Sequence, residues 1–161
     1  MNPSPEAFKE AMRRFATGVT VVTSLRDGEP RGVTVSAFSS VSLDPPSVLI
    51  CVNRAARSYL FIASSKIFCV NVLSGEQTAL AQRFSGKLRE NQFEGVDYET
   101  ARTGAPVLRG TLAFLDCEVA QEHHAGSHSI FIGNVLAAGS SSGSPLGYFG
   151  GAFHDFGLRA P

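Results

Sequence analysis

The chain has 161 residues, 43% of them hydrophobic and 17% charged, and 14 Lys plus Arg balance 14 Asp plus Glu for a formal net charge of zero. That length suits one globular domain with a sizeable core, and so thin a coat of charge suggests a surface partly covered by another subunit or a ligand. Scattered cations exclude the basic stripe of a nucleic-acid binder, and runs such as SVLICV are far too short to cross a bilayer.

The opening MNPSPEAFKEAMRR lacks the apolar core of a signal peptide. SPEAFKEAMRRFATG predicts a helix, with Ser4 as cap, Pro5 in the first turn and Glu6 at the positive end. Phe8, Ala11, Met12 and Phe15 repeat at helical spacing, and Gly18 is the expected stop. VTVVTSL and GVTVSAFSSVSL then flank an Asp27-Gly28 turn as a hairpin. Asp44-Pro45-Pro46 turns the chain into SVLICVN, a buried strand. ARSYLFIASS reads as a short helix, KIFCVNVLS as another buried strand, and GEQTALAQRFSG as a helix with Leu80 and Phe84 on one face. Residues 86 to 106 are polar and contain glycine, which predicts an excursion loop. TLAFLDCEVAQEH and SIFIGNVLAAGS are long strands, SSSGSP a surface turn and LGYFGGAFHDFG a last hairpin.

Strands outnumber helices and no linker divides the chain. The expected architecture is mainly β with inserted helices, a closed barrel forming one domain over residues 1–161. The interior of so small a barrel is filled by side chains, so a ligand larger than a sugar lies outside it or in a subunit groove.

Cys51, Cys69 and Cys117 each sit in an apolar run. Their odd number and the absence of a signal sequence point to free thiols in a reducing cytoplasm, and without a CxxC or CxH pair zinc is disfavoured. HHAGSHSIFIG holds three of the four histidines within six positions. His124 and His128 have the spacing of a metal pair on a helix. Between two strands, however, extended chain places them roughly 13 Å apart. Ser127 beside His128 lacks the GxSxG surroundings of a nucleophile, and neighbouring strand residues point to opposite faces. A ligand-holding role therefore ranks ahead of a metal or a nucleophilic one, and no metal is expected.

Small hydroxyl residues crowd GVTVSAFSSVSLDPP. On a strand, Thr34, Ser36 and Ser40 share a face and let a flat ring approach the backbone. CVNRAARSY leaves a strand and delivers Asn53, Arg54, Arg57 and Ser58 to a helix start, where a phosphate finds N–H donors and a fixed cation. Either arginine is alternatively a solvated surface charge. Phe84 fits a helix core position.

FATGVTVVTS, RGVTVSAFSSVSLDPPSVLICVNR, AGSHSIFIGNV and PLGYFGGAFH, in that order, resemble the short-chain flavin reductase family, the reductase components of two-component flavin-dependent monooxygenases. The resemblance implies a Greek-key-like FMN-binding split barrel, a cytoplasmic homodimer, FMN or FAD near the subunit interface, and NADH or NADPH as hydride donor. It also implies release of reduced flavin to a partner oxygenase. By resemblance, Thr34, Val35, Ser36, Ala37 and Ser40 line the flavin ring and ribityl chain. Cys51, Asn53, Arg57 and Ser58 form the phosphate side, and Phe84 and Ser85 close over the flavin. Gly126, Ser127 and His128 stand where the family has Gly-Asp-His, with His128 on the nicotinamide side. The serine removes a charge that bears on the choice of NADH or NADPH. Tyr148 and His154 either cap the nicotinamide or pack at a dimer contact. Two other readings are a reductase of a bound acceptor such as a cobalt corrin, and a flavin-binding carrier or sensor without reductase activity.

Overall fold

The computed structural model describes residues 2–86 and 91–157. Helix α1 (Pro5–Arg13) begins as expected, with the Ser4 hydroxyl accepting from the Ala7 N–H at 3.1 Å. It stops at Arg14 rather than Gly18, because Thr17–Gly18 is drawn off as a short strand, β1. Phe8, Met12 and Phe15 are 60%, 49% and 66% exposed. The apolar stripe of this segment therefore has no partner among the described residues.

Strands β2 (Thr20–Arg26) and β3 (Glu29–Val35) form the expected hairpin. Asp27 and Gly28 both have positive φ, 54° and 81°, as a two-residue turn of matching twist requires. The run after this turn is not one strand. It breaks at Ser36–Ala37 and resumes as β4 (Phe38–Leu43), followed by β5 (Pro46–Asn53), α2 (Arg57–Ser65) and β6 (Ile67–Val72). Helix α3 (Thr78–Phe84) follows a 3-10 turn at Gly75–Gln77. The predicted excursion loop instead contains a two-stranded ribbon, β7 (Tyr98–Thr100) with β8 (Pro106–Leu108); its residues 87–90 lie outside the described residues. Strands β9 (Ala113–Ala125) and β10 (His128–Ser140) are long, and β11 (Leu146–Phe149) and β12 (Ala152–Asp155) make the last hairpin.

Seven strands form one antiparallel sheet in the order β3-β2-β6-β9-β10-β5-β4, and β1, β11 and β12 form a smaller one. The barrel is thus split, not closed. Consecutive strands β3 and β4 lie at opposite edges of the large sheet, and no ladder joins them. The sheet curls, because Val35 of β3 and Val48 and Ile50 of β5 meet in one core with Val22, Phe61 and Phe131. Val21, one residue along β2, points the other way into a second core with Val19, Leu73, Phe84 and Leu146. Strand β2 is thereby buried on both faces.

Two buried polar side chains fix the ribbon to the sheet. Asn71 donates to the Val21 carbonyl and accepts from the Leu108 N–H at 2.8 Å. Asp116, fully buried, accepts from the Arg102 and Thr103 N–H groups at 2.7 and 2.8 Å and from the Thr103 hydroxyl. Both meet the requirement that a buried polar group be hydrogen-bonded.

Candidate functional site

A groove follows β3 across the molecule. At one end a cavity of about 530 Å³ opens at the start of α2, lined by Gly32, Val33, Arg57, Ser58, Phe84 and Gln92 among others. Gly86 is shared with a second cavity of about 380 Å³, which Thr34, Ser36, Ser85, Tyr148 and Phe153 help to line. Ser36 and Tyr148 in turn border a third, of about 280 Å³, under Phe8, Met12 and Phe15.

The floor of this groove is thin for a local reason. A Cβ on Gly32 would stand 2.8 Å from the Phe84 ring, so only glycine lets α3 lie so close to β3. Thr34 strengthens that contact by donating to the Ala81 carbonyl at 2.6 Å, and the Ser85 hydroxyl donates to the same carbonyl at 3.0 Å. Phe84 is buried in the second core, and it also lines the larger cavity. Both readings of its role thus hold together.

At the start of α2 the cap residue Ala56 makes no side-chain hydrogen bond, and the first turn holds no acidic residue. The Tyr59 N–H already donates to the Ala56 carbonyl at 3.1 Å, so the Arg57 and Ser58 N–H groups and the positive end of the helix dipole are what this helix start presents to an anion. Ser58 is buried there and Arg57 is exposed at the cavity wall. Arg54 is committed elsewhere: its guanidinium donates to the Gly126 carbonyl at 2.7 Å and meets His124 Nδ1 at 3.4 Å. The structure thus separates two arginines that the sequence leaves equivalent.

Arg54 also ties the histidine stretch to this corner, its N–H donating to the Ser127 carbonyl at 3.0 Å. Gly126 and Ser127 are the whole turn between β9 and β10, with Gly126 at φ 57°. His124 and His128 consequently lie on facing strands of one hairpin, not along one extended strand, and His128 pairs with Asn53 of β5. The Ser127 hydroxyl and His128 Nδ1 are 2.9 Å apart. Beneath the tip, His124 meets Glu122 at 3.3 Å and Ser129 donates to Glu122 at 3.0 Å. Partial burial pushes the Glu122 carboxyl up, but hydrogen bonds with Tyr59, Ser129 and His124 and the charge of Lys66 outweigh it and hold the group below the usual carboxylate range. Among the described residues no cluster of three or more His, Cys, Asp or Glu is arranged to hold a metal ion.

Of the residues singled out from the sequence, Thr34, Ser36, Arg57, Ser58, Phe84, Ser85 and Tyr148 line the groove. Asn53, Gly126, Ser127 and His128 gather at the adjoining corner, all exposed, and Asn53 Oδ1 accepts from the Ala55 N–H at 2.9 Å. Val35 belongs to the core inside the curled sheet, and Ala37 offers its carbonyl to the Cys51 N–H. Ser40 sits on β4, apart from Thr34 on β3, so Thr34, Ser36 and Ser40 do not share one strand face. Cys51 is half-buried, and burial pushes its thiol up. His154 is exposed in the last hairpin, where its ring contacts the Phe149 carbonyl at 3.1 Å. Gly32, Gly86 and Gln92 escaped the sequence reading. Gly32 carries no signal beyond its identity, and Gln92 reaches the groove only through tertiary contact.

Residues 12–157 match the family model described as the flavin reductase like domain. The FMN reductase (NADH) SmoA of Agrobacterium fabrum is 41% identical over 150 residues, covering 93% of this chain and 85% of that one. The flavin-dependent monooxygenase reductase subunit HsaB of Mycobacterium tuberculosis is 38% identical over 131 residues, 81% of this chain and 70% of that one. Among solved structures, the NADH:FAD oxidoreductase SgcE6 of Streptomyces globisporus, in complex with NAD and FAD fragments, superposes with a TM-score of 0.90 at 34% identity, covering 100% of this chain and 99% of that one. The chain belongs to the flavin reductase like domain family.

Proposed function

We propose that this protein, acting as one domain over residues 1–161, is an NAD(P)H-dependent flavin reductase. It moves a hydride from NADH or NADPH to FMN or FAD and passes the reduced flavin to a partner monooxygenase. The observation that carries this reading is the groove along β3, which joins an uncapped helix start bearing Arg57 and Ser58 to a wall of short side chains. A flavin phosphate suits the first, where charge-assisted hydrogen bonds are strongest. A flat ring suits the second.

When bound, the flavin and the nicotinamide supply the hydride chemistry themselves. This chain's residues bind, orient and shield. Thr34, Ser36 and Ser85 present hydroxyls and closely approachable backbone to the ring edge, while Phe84 and Tyr148 exclude water from its faces. Val35, Ala37, Ser40, Cys51 and Asn53 support that cradle from the strands behind it. His128, with Gly126 and Ser127, takes the nicotinamide side and holds its carboxamide or pyrophosphate by a hydrogen bond. His154 backs it from the last hairpin. Orientation to within contact distance is what such a site contributes to rate, so no single side chain is essential in the way a nucleophile is.

The working form is a homodimer in this proposal. Exposed Phe8, Met12 and Phe15, bordering the groove at Ser36 and Tyr148, are the apolar surface that a second subunit would cover. Three free cysteines support a cytoplasmic location. No helix among the described residues is long and apolar enough to cross a membrane.

The test is anaerobic mixing of the purified protein with NADH or NADPH and with FMN, FAD or a corrinoid as acceptor. Rapid loss of oxidised-flavin absorbance over the uncatalysed rate is expected. Flavin binding without bleaching by either nicotinamide supports a carrier instead, and turnover only with a corrinoid supports the bound-acceptor reading.

A further inference from the structure

One residue clamps the tip of the β9–β10 hairpin. Both carbonyls of the turn accept from Arg54, that of Gly126 from the guanidinium at 2.7 Å and that of Ser127 from the main-chain N–H at 3.0 Å. His128, the first residue of β10, follows this turn directly, and its Nδ1 lies 2.9 Å from the Ser127 hydroxyl. Where the tip sits therefore decides where His128 sits.

Arg54 is itself steered. Its Nη1 meets His124 Nδ1 at 3.4 Å, and a guanidinium only donates, so Nδ1 is the accepting nitrogen. The ring proton is then on Nε2, which donates to Glu122 Oε1 at 3.3 Å. Glu122 is anchored to the body of the fold. It accepts from the fully buried Ser129 at 3.0 Å, is hydrogen-bonded with Tyr59, and lies 3.8 Å from Lys66 Nζ. Tyr59 packs in turn on Phe131 of the core, with ring centroids 5.9 Å apart. A line of contacts thus runs from the core through Glu122, His124 and Arg54 to the turn before His128. His123, the neighbouring ring, is engaged with Gln121 at 2.9 Å.

One link of that line is acid-sensitive by its chemistry. A second proton on the His124 ring goes to Nδ1, where it faces the guanidinium, donor against donor and cation against cation. Glu122 keeps the charged ring on its own side, and Arg54 loses its acceptor there.

Resting on the flavin reductase reading, we propose that Arg54 and His124 are positioning residues for the nicotinamide. With Glu122 behind them they fix the hairpin tip that carries His128, and the link between them opens in acid.

Both side chains are exposed, so substitutions there test position and not folding. Initial rates at saturating FMN are measured for wild type, Arg54→Ala and His124→Asn, with NADH or NADPH, whichever turns over, across about pH 5 to 8. Asparagine offers Arg54 an amide oxygen in place of Nδ1 and does not titrate. At the upper end Arg54→Ala is expected to raise the nicotinamide KM about fivefold or more, with kcat and the FMN Kd changed less than about twofold. Toward acid the wild-type KM is expected to climb and the His124→Asn KM to stay level. An unchanged KM in Arg54→Ala, an equal loss in kcat or in FMN binding, a wild-type KM flat with pH, or an acid rise that His124→Asn shares overturns the inference, while wild-type turnover keeps the flavin reductase reading. Wild-type protein that reduces no flavin overturns the reading and the inference together.

Discussion

Gly32 and Phe84 are pressed together, glycine backbone against aromatic ring, so closely that a Cβ at position 32 would stand 2.8 Å from two ring carbons. This contact sets the distance between β3 and α3 and hence the shape of the cavity that both residues line.

Gly32→Ala forces Phe84 out of a position where it is 1% exposed. Overpacking of this kind costs about 1–3 kcal/mol. Urea denaturation should show that loss, and flavin titration should show weaker binding, since Phe84 lines the cavity it would have to enter. Unchanged stability would mean that α3 is free to move away from β3.

Arg57→Ala removes the cation at the start of α2 and leaves Arg54 bound to the hairpin tip. Loss of a charge-assisted hydrogen bond predicts about ten- to a hundredfold weaker FMN binding, with riboflavin little affected. Equal losses for FMN and riboflavin would move the phosphate away from Arg57.

His128→Ala should raise the KM for the nicotinamide more than it lowers kcat, because hydride transfer asks the protein to position its reactants and not to exchange a proton. Steady-state kinetics at saturating flavin measures both. A loss of activity above about a thousandfold with unchanged nicotinamide KM contradicts a positioning role.

Glu122 predicts a pH dependence. Its carboxyl titrates lower in the fold than in the unfolded chain. Its ionised form therefore stabilises the fold above the ordinary carboxylate range, and that contribution fades as pH falls through the depressed folded value. Glu122→Gln should flatten the acid limb of a stability–pH curve obtained by urea denaturation at several pH values. An identical limb in both proteins would contradict this.

Much of the fold is legible in the sequence because it rests on local signals. Asp27-Gly28 announces its hairpin, Ser4 its helix, and the β-branched runs their buried strands. The break at Ser36–Ala37 is not legible, since no glycine or proline marks it. It is imposed when β4 crosses to pair with β5, the Phe38 N–H donating to the Ser36 carbonyl. The histidine stretch shows the same limit. Its spacing reads as extended chain until the turn is seen to contract to Gly126-Ser127 and set His124 and His128 on facing strands. The turn between β5 and α2, invisible in CVNRAARSY, sends Arg54 to the hairpin tip and leaves Arg57, at the helix start, to reach the cavity. Gln92 is a matter of tertiary contact throughout.

The central claim is best tested by crystals grown with FMN. The account predicts density for the phosphate within hydrogen-bonding distance of the α2 N–H groups, Ser58 and Arg57, with the ring lying along β3 beside Thr34 and Ser36. A flavin bound elsewhere, with the start of α2 facing only solvent, would contradict it.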